Sequence, residues 1–445
     1  MNCADHFKQM NKGFDFGQAL AEADRCLLCH DAPCSKACPA ETDPAGFIRK
    51  FRFRNITGAI RTIKKNNILG GACGVLCPTA ELCEKECSAT GIGRPIAIGK
   101  IQRFLVEYAR ELNFSVFEKA DPRPEKVAVV GSGPAGLSCA AELAKDGYHV
   151  TVFEARKESG GVLRYGVVSF RFDMDFLAAE MADIKKLGVE FKCGSSIDSQ
   201  NKAEDLLKNS YQAVFLAPGL WDAVRLQEKK DIKGLYGSVA YLEALRDGQL
   251  DAFAGKIENK TVAVIGGGSV AMDCIGAAIR LGAKDVYLVY RRSYTQMPAE
   301  EDEKIEALNE GIHFLLLNQP IDYVLGDDGG LKGLKLVRTA LGDVDASGRR
   351  SPVNIEGSEW VLPADLVIEA IGNKADDQSP AWYPQVKLNE KKLIQVDPDT
   401  GKTSMDGIFA GGDIVRGPAL VVNAVQDGKV AALAIKAYLS QKSEE

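Results

Sequence analysis

Lys126-Val127-Ala128-Val129-Val130-Gly131-Ser132-Gly133-Pro134-Ala135-Gly136 is the stretch from which the rest of the chain is read. A valine-rich apolar run suits a buried strand, and an Ala/Leu-rich helix follows the glycines. The next strand, His149-Val150-Thr151-Val152-Phe153, ends at Glu154, 23 residues past Gly131. Strand, glycine turn, helix, strand and acid together make a dinucleotide fingerprint. Gly131, Gly133, Pro134, Ala135 and Gly136 would bring the backbone up to a pyrophosphate at the helix N-terminus. Glu154 would accept from a ribose hydroxyl.

The pattern recurs downstream. Thr261-Val262-Ala263-Val264-Ile265 leads into Gly266-Gly267-Gly268-Ser269-Val270-Ala271, a helix through Ile279, and a strand Asp285–Val289 ending in Tyr290-Arg291-Arg292. Where the first copy has an acid, the second has paired arginines. A carboxylate there would repel a 2′-phosphate, whereas guanidinium forks bind one. The second site, on Gly266, Gly268, Ser269, Val270, Ala271, Arg291 and Arg292, therefore reads as NADP(H). The first reads as an adenine dinucleotide with a free ribose, most simply FAD. An Arg-Arg pair at a strand end is often only solvated; its offset from the fingerprint favours the phosphate.

Two apolar strands ending in glycine turns, Ala213–Gly219 and Leu366–Gly372, follow the two fingerprints at comparable distances, as exits from two similar units would. Between them Gly326-Asp327-Asp328-Gly329-Gly330 reads as a loop or hairpin turn. Near the end, Gly407-Ile408-Phe409-Ala410-Gly411-Gly412-Asp413-Ile414 is a strand whose Gly412-Asp413 can place a carboxylate near a ribityl chain or pyrophosphate. Gly417-Pro418-Ala419 then opens a helix through Tyr438, with proline in its first turn. The positive end of its dipole, directed at a flavin, would favour the reduced anion.

Upstream, eight of the 12 cysteines lie between Cys26 and Cys87. Cys26, Cys29, Cys34 and Cys38 form a C-x2-C-x4-C-x3-C-P run; Cys73, Cys77, Cys83 and Cys87 form the second group. Thiolates spaced this way can converge on soft metal centres, and a cysteine followed by proline suits one that serves a second cluster. Zinc sites usually pair two C-x2-C knuckles or histidines, and only one such pair and one histidine, His30, occur here. A disulfide framework belongs to short secreted chains. The reading is two iron–sulfur clusters. Cys139, Cys193 and Cys274 are isolated and read as buried small residues, which leaves no redox dithiol for a disulfide reductase.

The chain has 445 residues, 46% hydrophobic and 26% charged, enough for two or three domains. Its formal net charge of −6 argues against nucleic acid as the main partner. No apolar run approaches the roughly 20 residues of a membrane helix. The start, Met1–His6, lacks a basic segment leading into an apolar one, so a cytoplasmic location is expected. Phe47–Ile63 and Ile98–Leu112 carry helical spacing. Arg49, Lys50, Arg52, Arg54, Arg61, Lys64 and Lys65 fall in one stretch without an acid. They read as a solvated face, or as a surface that offsets negative clusters and docks a partner. Asp121-Pro122-Arg123-Pro124 marks a linker. The expected fold is α/β, with two nested Rossmann-like dinucleotide-binding domains preceded by an α-helical iron–sulfur domain. The helical part is residues 1–120, the FAD part 121–240 with 370–445, and the NAD(P)H part 241–369.

These motifs resemble the FAD/NAD(P)H-oxidising subunits that carry an N-terminal cluster domain. That family includes the small subunit of NADPH-dependent glutamate synthase and the electron-input part of dihydropyrimidine dehydrogenase. The resemblance covers nearly the whole chain. It is carried by Cys26–Cys34 with Cys38-Pro39, Cys77-Pro78-Thr79, Leu82-Cys83, Pro95-Ile96 with Ile98-Gly99 and Gln102-Arg103, and by Gly412–Val415 with Val421-Val422. It implies one [4Fe-4S] cluster on Cys26, Cys29, Cys34 and Cys87, and a second on Cys38, Cys77, Cys83 and Gln102. Spacing alone would choose Cys73 as the eighth ligand. Gly161 and Val421 join the cofactor-binding candidates. Members usually carry a proline-flanked Phe-Arg segment near the flavin; here Gly166–Asp173 has lost both prolines, and the usual Ala-Thr-Gly turn is Ala217-Pro218-Gly219. The cysteine region is most similar to the dihydropyrimidine dehydrogenase branch, which is NADH-linked. Tyr290-Arg291-Arg292 with Met297-Pro298-Ala299 is more similar to the NADPH-using branch.

The implied function is an electron-input oxidoreductase. It would pass a hydride from NAD(P)H to FAD and single electrons through two clusters to a partner. Hydride transfer needs orientation rather than a general base, so no catalytic acid or base is assigned. A second flavin-binding barrel is not seen, so the terminal reaction belongs to a catalytic partner subunit in a hetero-oligomer. That partner is the FMN-containing subunit of dihydropyrimidine dehydrogenase or, alternatively, the large subunit of glutamate synthase. A zinc-and-nucleotide-binding regulator is the non-enzymatic alternative.

Overall fold

In the computed structural model, which describes residues 13–227, 232–246, 250–345 and 348–444, Lys126–Val130 is the central strand of a five-stranded sheet. The order is Ile408–Ala410, Ala213–Leu216, Lys126–Val130, His149–Glu154, Glu190–Cys193, and every pairing is parallel. Val127, Ala128 and Val129 are fully buried, as expected of a strand covered on both faces. The helix Pro134–Ala144 packs against the long helix Val421–Glu444. Gly428 makes this approach possible: a Cβ there would stand 2.3 Å from the Ala135 carbonyl oxygen. Ser138 Oγ donates to the Val425 carbonyl across the same contact at 2.8 Å.

The sheet belongs to a compact unit of the described residues within Gln9–Arg164, Arg171–Leu220 and Ala375–Glu445. The same unit holds the cysteine region, built from helices Phe16–Asp24, Pro44–Arg52, Ile56–Asn66, Gly70–Leu76 and Ile98–Glu111. Side chains start these helices. Asp15 and Gln18 form a capping box, Asp43 caps the amide of Gly46 and Asn55 that of Gly58. The helical spacing over Phe47–Ile63 is therefore divided between two helices. Arg54 takes a left-handed φ of 62°, and Asn55 starts the chain afresh. Both helices keep their apolar residues inward, with Phe47, Phe51, Ile60 and Ile63 fully buried.

The other unit comprises Tyr165–Phe170 and Trp221–Lys374. Its parallel sheet runs Leu235–Gly237, Leu366–Glu369, Thr261–Ile265, Asp285–Tyr290, His313–Leu316. Antiparallel strands Asn318–Leu325, Leu331–Val344, Arg350–Asn354 and Trp360–Pro363 are inserted before the return strand. Gly326–Gly330 is the turn of the first hairpin, closed by Gly326 N–H on the Gly330 carbonyl at 2.9 Å. Among the described residues no helix is long and apolar enough to cross a membrane.

Candidate functional site

The two fingerprints are built alike. At Gly131 (φ 97°) a Cβ would sit 2.2 Å from the carbonyl oxygen of Ala217, just past the neighbouring strand. At Gly266 (φ 145°) it would sit 2.4 Å from that of Ala370. Glycine is needed in each turn because the exit strand's backbone crosses directly over it. Gly136 and Gly161 are equally confined: a Cβ on Gly136 would meet the Gly131 oxygen at 2.0 Å, and one on Gly161 the Gly133 Cα at 2.5 Å. Gly133, by contrast, faces open space. A pyrophosphate fits that cradle, with Pro134 and Ala135 opening the helix beneath it.

Glu154 is buried at the end of its strand. It accepts from Ser132 N (3.1 Å), Ser132 Oγ and Arg156 N (2.8 Å). A carboxylate has about four acceptor sites, so capacity remains for ribose hydroxyls. Gly412 (φ 77°) donates to Asp427 at 2.8 Å, and Arg416 clamps the same carboxylate. Burial, and then the nearby Asp427, push the Asp413 carboxyl up to about 6, against the Ala419 amide and Arg416. The long helix begins at Val421, so Pro418 precedes it rather than lying in its first turn. Val421 is half-buried and Val422 is buried.

Val422 also borders a small cavity lined by Cys38, Cys73, Cys77, Cys83, Leu82 and Gln102. Gln102 is buried, and its Nε2 donates to the Gly70 carbonyl at 2.6 Å, which leaves Oε1 as its remaining acceptor. Cys73 faces the same cavity. Its hydrogen bond to Cys77, then burial and the fields of Cys73, Cys38 and Cys83, push the Cys77 thiol well up. The other four cysteines gather separately. Burial, then Cys87, Cys26 and Cys29, push the Cys34 thiol up to about 11, and burial with Cys87 and Cys29 raises Cys26. Cys87 thus meets partners far back in the chain.

Thiols that raise one another are acids crowded into one place, which a cationic centre relieves. Backbone amides already point at sulfur, from Thr42 to Cys38 (3.4 Å) and from Ile96 to Cys87 (3.5 Å). Such bonds tune cluster potentials. Among the described residues no three His, Cys, Asp or Glu side chains are set to hold one metal ion. Cluster ligands each bind a different iron and stand wider apart, and the donor set fits that arrangement.

Most of the basic stretch lies on an exposed face, and several of its side chains also bond to the fold beneath. Arg52 donates to the Cys26 carbonyl at 2.6 Å, Arg49 to that of Cys29 at 3.5 Å, and Lys50 to Thr62 at 2.6 Å. Lys64 is buried on Asp183. Arg49, Lys50, Arg54, Arg61 and Lys65 are exposed, and Arg52 is half-buried. Cys139 and Cys274 are fully buried, but Cys193 is exposed, because it ends the edge strand of its sheet.

In the second fingerprint Ala271 is buried and Val270 is 41% exposed. Gly268 precedes the helix Ser269–Arg280, and Gly267 packs under the Tyr290 ring. The structure parts the two arginines. Arg291 is exposed at the strand end, whereas Arg292 is 5% exposed, with Nε on the Arg350 carbonyl (2.8 Å) and Nη2 on Asp345 (2.6 Å). Arg292 is therefore not one tine of an outward fork. Its partners lie more than fifty residues away in sequence, where a local motif does not reveal them.

Residues 3–114 match the family described as dihydropyrimidine dehydrogenase domain II, 4Fe-4S cluster, and residues 125–428 match pyridine nucleotide-disulphide oxidoreductase. The chain belongs to the pyridine nucleotide-disulphide oxidoreductase family. It is 34% identical to the glutamate synthase [NADPH] small chain of Escherichia coli, over 97% of this chain and 94% of that one. It is 35% identical to the NAD-dependent dihydropyrimidine dehydrogenase subunit PreT of E. coli, over 98% of each. The NADP(+)-dependent formate dehydrogenase subunit beta of Moorella thermoacetica is 38% identical over 92% of this chain, which spans 60% of that subunit's length. FprA of Mycobacterium tuberculosis, solved in complex with NADPH, shares the fold with a TM-score of 0.61 and 19% identity, covering 72% of this chain and 86% of FprA. Membership and cluster domain together make this chain an NAD(P)H-dependent FAD oxidoreductase with 4Fe-4S chemistry.

Proposed function

We propose that the chain takes electrons from NAD(P)H and delivers them singly, through two [4Fe-4S] clusters, to a catalytic partner subunit. The observation that carries this is a line of adjacency within one compact unit. Val421, Gly412 and Asp413 are flavin candidates, and Val422, next to Val421, borders the cavity of Cys38, Cys77, Cys83 and Gln102. Cys83 in turn stands close enough to both Cys38 and Cys34 for their charges to act on it. The helix Pro33–Lys36 and the residues just after it carry Cys34 into one set and Cys38 into the other.

A bound flavin exchanges a hydride pair for single electrons, which iron–sulfur clusters carry onward. The chain's own residues bind and orient. Gly131, Gly133, Pro134, Ala135, Gly136 and Gly161 seat the FAD pyrophosphate, Glu154 takes the ribose, and Asp413 and Val421 close the flavin end. Gly266, Gly268, Ser269, Val270 and Ala271 seat the pyridine nucleotide. Cys26, Cys29, Cys34 and Cys87 hold one cluster; Cys38, Cys77, Cys83 and Gln102 hold the other, with the glutamine amide oxygen as the eighth ligand. Leu27, next to Cys26 in the chain, and Phe53, next to the Arg52 that holds the Cys26 carbonyl, are exposed at 47% and 68% and suit a partner's landing surface.

The partner we propose is the FMN-containing subunit of a dihydropyrimidine dehydrogenase. The arginine at the end of Asp285–Tyr290 favours a second reading, the large subunit of an NADPH-dependent glutamate synthase. The test is to purify the chain anaerobically with the proteins that accompany it. The complex is then assayed for NADPH oxidation with uracil, and with 2-oxoglutarate plus glutamine. Uracil-dependent turnover supports the first reading and glutamine-dependent turnover the second; neither activity in an intact iron-replete complex overturns both partners.

A further inference from the structure

One peptide group beside the second cysteine set is held from both ends. Its carbonyl, on Gly70, accepts from Gln102 Nε2 at 2.6 Å, and its N–H, on Gly71, donates to Glu180 Oε1 at 2.6 Å. The Ala72 N–H adds contacts of 3.3 Å to both oxygens of the same carboxyl. Gln102 stands on the helix Ile98–Glu111 and lines the cavity of Cys38, Cys77 and Cys83. Glu180 stands on the helix Met174–Lys186 of the same compact unit. Glycine permits this approach: a Cβ on Gly71 would lie 2.9 Å from Glu180 Oε1 and from Val106 Cγ1.

The peptide selects the end of the Gln102 amide that the cavity receives. A backbone carbonyl only accepts, so the side-chain atom bonded to Gly70 is the nitrogen, and the oxygen is left for the cavity. An amide turned the other way would offer the cavity N–H donors in place of a lone pair. The hydrogen bonds of the Glu180 carboxyl go to backbone amides, while the buried Lys64 is paired with Asp183, one helical turn from Glu180. A negative charge on Glu180 draws on the Gly71 proton, and hydrogen bonds linked through one amide strengthen together. The Gly70 oxygen then holds the Gln102 nitrogen harder, and the Gln102 oxygen becomes the stronger donor.

We propose that Glu180 is a positioning residue for the second cluster: through the Gly70–Gly71 peptide it holds the Gln102 amide with its oxygen toward the metal site, and its charge sets how strongly that oxygen donates. This rests on the reading of Gln102 as the eighth ligand. Burial pushes the Glu180 carboxyl up to about 8, so its charge changes not far from neutral pH. The charged and titratable groups around it are Asp183 and Lys186 on its own helix, Lys64 on Ile56–Asn66, the Arg103–Glu107 pair with Arg110 on Ile98–Glu111, and Cys73 on Gly70–Leu76. Glu180 lines a cavity of about 190 Å³ that reaches the exposed Arg110 and Lys186, which gives the carboxyl a route for protons.

The test compares Glu180→Gln, Glu180→Leu and Gln102→Ala with the parent, all anaerobic and iron-replete. Paramagnetic resonance identifies each reduced cluster, and reductive titration gives its potential from about pH 6 to about pH 9. A hydrogen bond to a charged acceptor exceeds one to a neutral acceptor by about fivefold to tenfold in an equilibrium constant. As pH rises, the parent's second cluster should therefore become harder to reduce by about threefold to tenfold. Glu180→Gln keeps an acceptor for Gly71 and cannot ionise, so it should keep the parent's signal and stay near the parent's low-pH potential throughout. Glu180→Leu should change the second cluster's signal in the manner of Gln102→Ala and leave the cluster on Cys26, Cys29, Cys34 and Cys87 as it is. Should the leucine variant fail to fold or to take up iron, the pH dependence of the glutamine variant decides. If Glu180→Gln follows the parent's potential at every pH and Glu180→Leu keeps the parent's signal, Glu180 has no hold on the ligand, and the proposal is overturned while the Gln102 reading stands. If Gln102→Ala leaves both clusters unaltered, the ligand reading itself fails, and the proposal with it.

Discussion

Glu180→Gln tests the buried charge behind the helix Gly70–Leu76, which carries Cys73 and delivers Cys77. Glu180 is 2% exposed and accepts from the amides of Gly71 (2.6 Å) and Ala72 (3.3 Å). Burial pushes its carboxyl up to about 8, against those amides and Lys64, with Asp183 adding to the rise. The ordinary value is 4.5. Between those two values the folded protein keeps a proton that the unfolded chain has released, so stability falls as pH rises through the window. Below it the group is neutral in both states, and above it ionised in both. At about 1.36 kcal/mol per pKa unit, the loss from about pH 6 to about pH 8 is roughly 2–3 kcal/mol. Glutamine keeps an acceptor for Gly71 and cannot ionise. Anaerobic denaturant unfolding of parent and variant across that range should show the variant's relative stability growing by about this amount. The other titrating groups are common to both proteins and cancel in the difference. Parallel pH dependences would refute the reasoning, since Glu180 would then be ionised, or neutral, throughout.

Gly131→Ala should abolish FAD incorporation, because the positive φ alone costs about 1–2 kcal/mol and the new methyl meets the Ala217 oxygen. Gly266→Ala, with the corresponding clash on Ala370, should instead keep its flavin and lose NADPH oxidation; flavin-to-protein ratio and turnover separate the two. Gln102→Ala should disturb one cluster in anaerobic spectra and spare the other, whereas Cys73→Ala should leave the iron content intact; the opposite pattern makes Cys73 the ligand.

The two halves of each nucleotide fold were legible because glycine turns and valine-rich strands obey local rules. The reason for the glycines was not local. It lies in Ala217 and Ala370, which fall beside Gly131 and Gly266 only once the parallel sheets form. The inserted strands were read as a single turn, since bulges near Pro320–Asp322, Val324–Leu325 and Leu341–Val344 break the strict alternation that marks a strand. Arg292 pointed outward in the sequence reading because its partners, Asp345 and Arg350, arrive from that unread hairpin. Spacing also joined Cys73 with its neighbours and left Cys87 in the second group. Folding carries Cys87 back to Cys26 and Cys34, a meeting that the family resemblance implied and spacing did not. Cys193 was taken as buried from the usual habit of an isolated cysteine; it ends the edge strand Glu190–Cys193, which no further strand covers.

The measurement that bears most directly on electron input is anaerobic mixing of the isolated, iron-replete chain with NADPH, followed at the flavin band and at the broad iron–sulfur absorbance. Loss of absorbance at both, with no partner subunit present, is the predicted result. A flavin that bleaches while the iron–sulfur absorbance stays unchanged, with the clusters still reducible by dithionite, would contradict it.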